Sequence, residues 1–229
     1  MRSYDDPCGI ARALDVVGER WALLVVRELV LGPKRFTDLA AGLPGLSQNV
    51  LSQRLRELED AGVVRRARLG PPAGSRVYRL TERGADLEPV LLALARWGAR
   101  RPVPDTGADL SVDALAFALR TTFDPAVAGD LCLRATVRLD DDVLRLDVRD
   151  GRLDLARGEA DTPDCVLTTD PATLRALAFG GRPVAEAEAS GALRIDGDRP
   201  AALRLLRCFP RPTPVENEPG AVRTGAERR

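Results

Sequence analysis

The chain has 229 residues, 45% of them hydrophobic and 30% charged, so one or two globular cores are expected rather than a disordered or fibrous chain. It holds no histidine, and its four cysteines, Cys8, Cys132, Cys165 and Cys208, form no CxxC pair, which argues against a zinc site and removes the commonest general base. The formal net charge is zero but unevenly divided: residues 1–101 carry 17 basic and 12 acidic side chains, a balance of +5, and residues 102–229 carry −5. That division points to a polyanion met by the first half alone.

No apolar run reaches the length of a membrane-spanning helix, and the opening MRSYDDPC lacks the apolar core of a signal peptide. A cytoplasmic protein with reduced thiols is expected. After a loose arm, Met1 to Pro7, helical spacing runs through Ile10, Ala13, Leu14 and Val17 and breaks at Gly18. A second helix is expected from about Glu19 to Leu31, with Trp21, Leu24, Val25 and Leu29 inward and a stop at Gly32-Pro33. A short helix from Phe36 to Ala41 is stopped by Gly42, Pro44 and Gly45, and Ser47 offers a hydroxyl to cap the next one. That next helix carries Leu51, Leu55 and Leu58 on one stripe. At about 100° per residue, the opposite face carries Asn49, Gln53 and Arg56, with Ser52 beside them. Amides suit adenine and guanidinium suits guanine, so this face can read base edges.

Gly62 closes that helix, and the β-like runs Val63 to Leu69 and Ser75 to Leu80 follow, joined by Gly-Pro-Pro-Ala-Gly. Between Arg65 and Arg83 lie six arginines against one acid, Glu82, a composition suited to a phosphate backbone. Helix, turn, helix and hairpin in this order make a winged helix-turn-helix. Asn49, Ser52, Gln53 and Arg56 are the candidate base readers, and Arg35, Ser47, Gln48, Arg54 and Arg76 the candidate backbone contacts. A helix capped by Thr81 is then expected to run to about Arg100, bent near Pro89. Its Leu87, Val90, Leu91, Leu94 and Trp97 share its faces, and with Leu92 and Ala95 off the main stripe it has more apolar surface than one small domain needs, which a dimer contact covers.

Residues 101–109, RPVPDTGAD, read as a linker between a unit at 1–100 and one at 110–209. The second unit opens on a helix through Ala114, Leu115, Phe117, Ala118 and Thr121. Strands with clear alternation follow (Leu131 to Leu139, Leu144 to Val148), with turns at Asp140–Asp142 and Asp150-Gly151. Cys165 and Leu167 mark another strand. Asp170 caps a helix through Leu174, Leu177 and Phe179; a short helix, the strand GALRIDGD and a last helix through Leu203, Leu206 and Phe209 complete the unit. The tail, 210–229, reads as disordered. The fold class expected is α+β.

The runs CGIARALDVVGERWALLVVREL, RFTDLAAGLPGLSQNVLSQRLRELEDAGVV and SRVYRLTERG resemble the HxlR family of bacterial winged-helix transcription regulators, most tellingly at Cys8, Gly18 to Trp21 and Ser47 to Leu58. The resemblance covers about the first hundred residues. It implies a homodimer on an inverted-repeat operator of double-stranded DNA, joined through terminal helices, with each wing on the backbone or minor groove. The wing loop departs from the family pattern by an added Ala-Gly-Ser after its two prolines. The resemblance also implies that Cys8 can serve as an oxidation sensor. A thiol at a helix start can be activated, but Asp5 and Asp6 oppose this, so an inert thiol stands as the other reading.

The stretches VLRLDVRDGRLDLARGEADTPDCVLTTDPATLRALAFGG and SGALRIDGDRPAALRLL resemble a sterol carrier protein domain, a mainly antiparallel sheet with helices on one face. This implies a site for an apolar small-molecule effector, for which Phe117, Leu174, Leu177, Ala178 and Phe179 are candidates, or else these residues fill a core. The acids at 140–142 lack the spacing of a calcium loop. No catalytic motif, metal site or cofactor loop is found, so a non-enzymatic DNA-binding regulator is expected. The alternative is a lipid or apolar small-molecule binding protein whose winged helix mediates protein contacts.

Overall fold

The computed structural model describes residues 4–70, 74–101, 110–211 and 213. The expected linker beyond Arg101, nearly all of the expected tail, the start of the N-terminal arm and the tip of the wing loop lie outside the described residues.

Helix α1 (Gly9–Val17) is followed by α2 (Ala22–Leu29), which begins later than the apolar spacing suggests. The reason is local: Trp21 takes a left-handed backbone, φ 79°, and a residue so placed cannot extend a right-handed helix. Val25, Val26 and Leu29 are buried, whereas Leu24, expected inward, lies on the surface and Trp21 is half-buried. Helices α3 (Phe36–Gly42) and α4 (Gln48–Asp60) form the helix-turn-helix. Ser47 Oγ accepts the Val50 amide at 3.4 Å, and Leu51, Leu55 and Leu58 are fully buried. Strands β1 (Val64–Arg68) and β2 (Arg76–Leu80) pair antiparallel. Lys34 adds an isolated antiparallel bridge to β2: its amide donates to Tyr78 O at 2.9 Å and its carbonyl accepts the Tyr78 amide at 2.7 Å.

The single helix expected from Thr81 to Arg100 is divided into α5 (Glu82–Ala85) and α6 (Glu88–Gly98). Pro89 sits in the first turn of α6, where its missing N–H leaves no bond unmade; it starts a helix rather than bending one.

The second half is α+β. Helices α7 (Val112–Thr122) and α8 (Pro125–Ala128) precede β3 (Leu133–Leu139), β4 (Asp142–Arg149), β5 (Arg152–Arg157) and β6 (Cys165–Thr169). Then come α9 (Pro171–Arg175), α10 (Val184–Ala189), β7 (Leu193–Gly197) and α11 (Arg199–Arg207). The helix expected to run on from Asp170 widens after α9 into a single π-helical turn, Ala176–Gly180. The sheet order is β5-β4-β3-β6-β7, with β3 and β6 parallel and every other pair antiparallel. Alternation buries Leu133, Ala135, Val137 and Leu139 from β3 with Leu144, Leu146 and Val148 from β4. The other face carries Arg134, Arg138, Arg145 and Asp147, exposed or half-buried.

Helix α7 belongs to both halves. Its Leu115, Ala116 and Leu119 join the core over the sheet, while Phe117 packs in the winged-helix core; in return Leu31 packs against the sheet core. Arg120 pairs with Glu88 of α6, and Arg96 Nε donates to Thr121 O at 3.4 Å. Beneath them lies a buried ion cluster. Glu28, wholly enclosed, accepts from Arg27 (2.8 Å), from Lys34 Nζ (2.7 Å) and from the Ser111 hydroxyl (2.8 Å). Lys34 Nζ also binds Asp113 Oδ2, which accepts from Arg157 Nη2 at 2.6 Å; Arg157 in turn pairs with Asp142.

Candidate nucleic-acid interface

Helix α4 turns its leucines inward and leaves a polar face outside. Asn49, Gln53 and Arg56 are exposed and Ser52 is half-buried. The Asn49 and Arg56 side chains make no hydrogen bond or ion pair within the described residues, so their donors and acceptors face water. Gln53 Nε2 donates to Glu57 one turn on, at 3.0 Å. Of the candidate backbone contacts, Arg35, Gln48 and Arg76 are exposed, and Ser47 is exposed while it caps α4. Arg54 is placed differently. Its guanidinium is held between Glu19 (3.1 Å) and Glu57, with only 12% of the side chain exposed, so it ties α4 to the turn between α1 and α2 instead of reaching outward.

The wing shows a charge pattern that folding alone does not explain. Its register sets Arg65 opposite Arg79 and Arg68 opposite Arg76. Like charges directly across an antiparallel pair repel. None of these four has an acidic partner among the described residues. Arg66 is the contrast: it lies over the Tyr78 ring at 5.8 Å and pairs with Glu59 at 3.2 Å. Arg83 donates to Ala61 O at 2.7 Å and so caps the C-terminus of α4, a role the arginine count did not anticipate.

A second surface feature is apolar. Ile10 (73% exposed), Val90 (55%) and Trp97 (69%) stand in water, with Leu14, Leu24 and Leu94 also exposed; they come from α1, α2 and α6. Cys8, exposed, precedes α1, and its amide donates to Asp6 Oδ1 at 2.9 Å.

In the sheet half, Leu174 and Leu177 are buried and Ala178 and Phe179 half-buried, all over the sheet; Phe117, named with them from sequence, lies in the other core. The hollow inside the sheet core, lined by Leu119, Val137, Leu174 and Phe209 among others, holds only about 10 Å³. That is about the room of one water and far from that of a ligand. A larger hollow of about 500 Å³ lies against the outer face, lined by Cys132, Arg134, Asp147, Arg149, Arg152 and Asp154 among others. Burial pushes the Cys165 thiol up to about 11, with Asp164 and Asp198 adding to it, which leaves that sulfur unreactive. Among the described residues there is no group of three or more side chains able to hold a metal ion, and no helix long and apolar enough to cross a membrane.

A helix-turn-helix followed by an arginine-rich wing places the first half among winged-helix proteins. Residues 16–104 match the model of the HxlR-like helix-turn-helix family, and residues 103–215 match that of the alkyl sulfatase C-terminal domain. The first half is 42% identical over 87 residues to the uncharacterized HTH-type transcriptional regulator YvaP of Bacillus subtilis, a match covering 38% of this chain and 80% of YvaP. It is 43% identical over 89 residues to the uncharacterized HTH-type transcriptional regulator Rv3095 of Mycobacterium tuberculosis, covering 39% of this chain and 56% of that protein. Through this half the chain belongs to the HxlR-like helix-turn-helix family. The chain is also 34% identical to the quinone-bound crystal structure of YodB from B. subtilis, a match covering 39% of this chain and 93% of that one, with a TM-score of 0.34. The second half is similar to an alkyl sulfatase C-terminal domain rather than matched to a sterol carrier model.

Proposed function

We propose that the protein is a cytoplasmic, DNA-binding transcription regulator that works as a homodimer on an inverted-repeat operator. The observation that carries this reading is the wing: two arginine pairs face each other across the hairpin with no acid between them, and a phosphate backbone supplies the missing charge. Asn49, Ser52, Gln53 and Arg56 read base edges, while Arg35, Ser47, Gln48 and Arg76 hold the backbone. Arg54 reaches a phosphate only if Glu19 and Glu57 release it. A second copy covers the apolar side chains of α1, α2 and α6. The 1–100 and 110–209 units divide the labour between DNA and regulation.

The test is a titration of the purified protein on its own upstream DNA against scrambled DNA at two salt concentrations. Saturable preference for the upstream fragment, with a log–log salt slope several units negative, is expected from the wing. Equal, salt-insensitive weakness on both fragments from a folded dimer overturns the reading. The sterol carrier resemblance adds an apolar effector beside Leu174, Leu177, Ala178 and Phe179. With about 10 Å³ inside, its entry requires α9 and the π turn to move off the sheet.

A further inference from the structure

We propose that Asp113, contributed by the sheet half, is a positioning residue for the DNA-contacting elements: through Lys34 it fixes the junction of α2, α3 and the wing. The proposal rests on the DNA-binding reading above and gives the second half a part in it.

Three parts of the winged helix meet at the buried cluster. Glu28 belongs to α2. Lys34 is the backbone rung against Tyr78 of β2, and the next residue, Arg35, is the cap of α3. Gly42, the last residue of α3, lies so close to the Glu28 carboxylate that a Cβ there would overlap it. So the carboxylate of Glu28 touches the end of α3, and it holds the ammonium of Lys34, whose backbone pairs with β2 and leads into α3. Moving Lys34 moves both elements that meet DNA.

The second half closes this cluster. Asp113 is 2% exposed and binds Lys34 and Arg157 through the same oxygen, Oδ2, while its Oδ1 has no partner within the described residues. A carboxylate held this way is fixed by its two cations alone. The two buried acids, Glu28 and Asp113, are held by three cations, Arg27, Lys34 and Arg157, so removing Asp113 leaves Lys34 with Glu28 and Arg157 with Asp142 as their remaining acids. Buried ion pairs contribute little net stability but select one geometry over its neighbours. Arg157 ends β5 and also holds Asp142 at the start of β4, so a rearrangement of that sheet corner has a contiguous path to Lys34. An effector that prefers one arrangement of the corner can therefore bias the reading head.

The experiment compares full-length wild type, Asp113→Asn, Asp113→Glu and, as a control on the outer sheet face, Arg138→Gln. Hydrogen exchange at the Lys34 and Tyr78 amides reads the junction directly, and affinity for the selected operator reads its consequence. Asp113→Asn keeps the size and loses the charge. It is expected to raise exchange at those two amides about tenfold and to weaken operator binding by about fivefold to tenfold, within the usual range of coupling between sites. Asp113→Glu recovers part of both, and Arg138→Gln changes neither. Unchanged exchange at Lys34 and Tyr78 in a folded Asp113→Asn protein overturns the proposal, as does raised exchange with unaltered operator affinity. If Asp113→Asn does not fold, Arg157→Gln, which keeps the Lys34–Asp113 pair, reads the same amides with a smaller expected rise, and no rise overturns it. Failure of the wild type to bind any DNA defeats the functional reading, while the exchange arm still decides whether Asp113 holds the junction.

Discussion

The two halves of the molecule treat apolar side chains in opposite ways. The winged-helix half leaves Ile10, Val90, Leu94 and Trp97 exposed, all on α1 and α6, although both helices also contribute to its core through Val17 and Leu91. The sheet half encloses nearly all of its large apolar residues, Leu110 and Val127 aside, and the hollow inside its core holds only about 10 Å³. The two halves are joined where this contrast is reversed, at α7, whose Phe117 fills the first core while Asp113 carries charge into it.

The contrast can be broken at several points. The largest effect is expected at the joint. Glu28→Ala leaves Arg27 and the Ser111 hydroxyl without their enclosed acceptor and should cost about 3 kcal/mol in urea unfolding. A loss below about 1 kcal/mol would show that the joint is not part of the fold's stability. Next is the open half: Trp97→Lys should weaken self-association by at least about 30-fold in sedimentation equilibrium, the scale of an interface hot spot. An unchanged dimer would place the interface elsewhere. Arg56→Ala should cost about 1–3 kcal/mol at the operator with normal folding. Arg76→Ala should instead lower affinity on all DNA alike and reduce the salt slope by about one.

The smallest effect is in the closed half. Burial pushes the Asp170 carboxyl up, but hydrogen bonds from the Thr173 hydroxyl and amide, at 2.7 and 2.8 Å, outweigh it and hold the group below the usual carboxylate range. Its cap on α9 is therefore fully present above the unfolded value and is lost as pH falls through the folded one. Asp170→Ala should cost about 1 kcal/mol near neutrality and nothing at strongly acid pH, read from unfolding midpoints across a pH series.

Much of the first half was legible in the sequence because its signals are local. Leu51, Leu55 and Leu58 fix the buried side of α4 and so the polar face; Ser47 and Thr81 cap as their chemistry suggests. The strands of the sheet follow from period-two alternation. Local rules failed where the backbone turned on one residue, as at Trp21 and at the break before Pro89, and where the deciding contact is distant. Lys34 meets Asp113 across 79 positions and Glu28 meets Ser111 across 83, and no periodicity marks such pairs. Gly42 reads as a helix stop, yet its bareness also admits the Glu28 carboxylate. Phe117 reads as lining for an apolar pocket because its neighbours belong to the sheet half, but at about 100° per residue it lies across the helix from Leu115 and Leu119 and enters the other core.

The central claim, that two copies of α4 read DNA, is tested most directly by selecting bound sequences from a random duplex pool with the wild type and with a triple Asn49→Ala, Gln53→Ala, Arg56→Ala protein. The account predicts an enriched inverted repeat for the wild type, with half-sites about one helical turn apart, and loss of that enrichment in the triple variant despite retained salt-sensitive binding through the wing. An enriched site that survives unchanged in the triple variant, or no enrichment from a folded wild-type dimer, would contradict it.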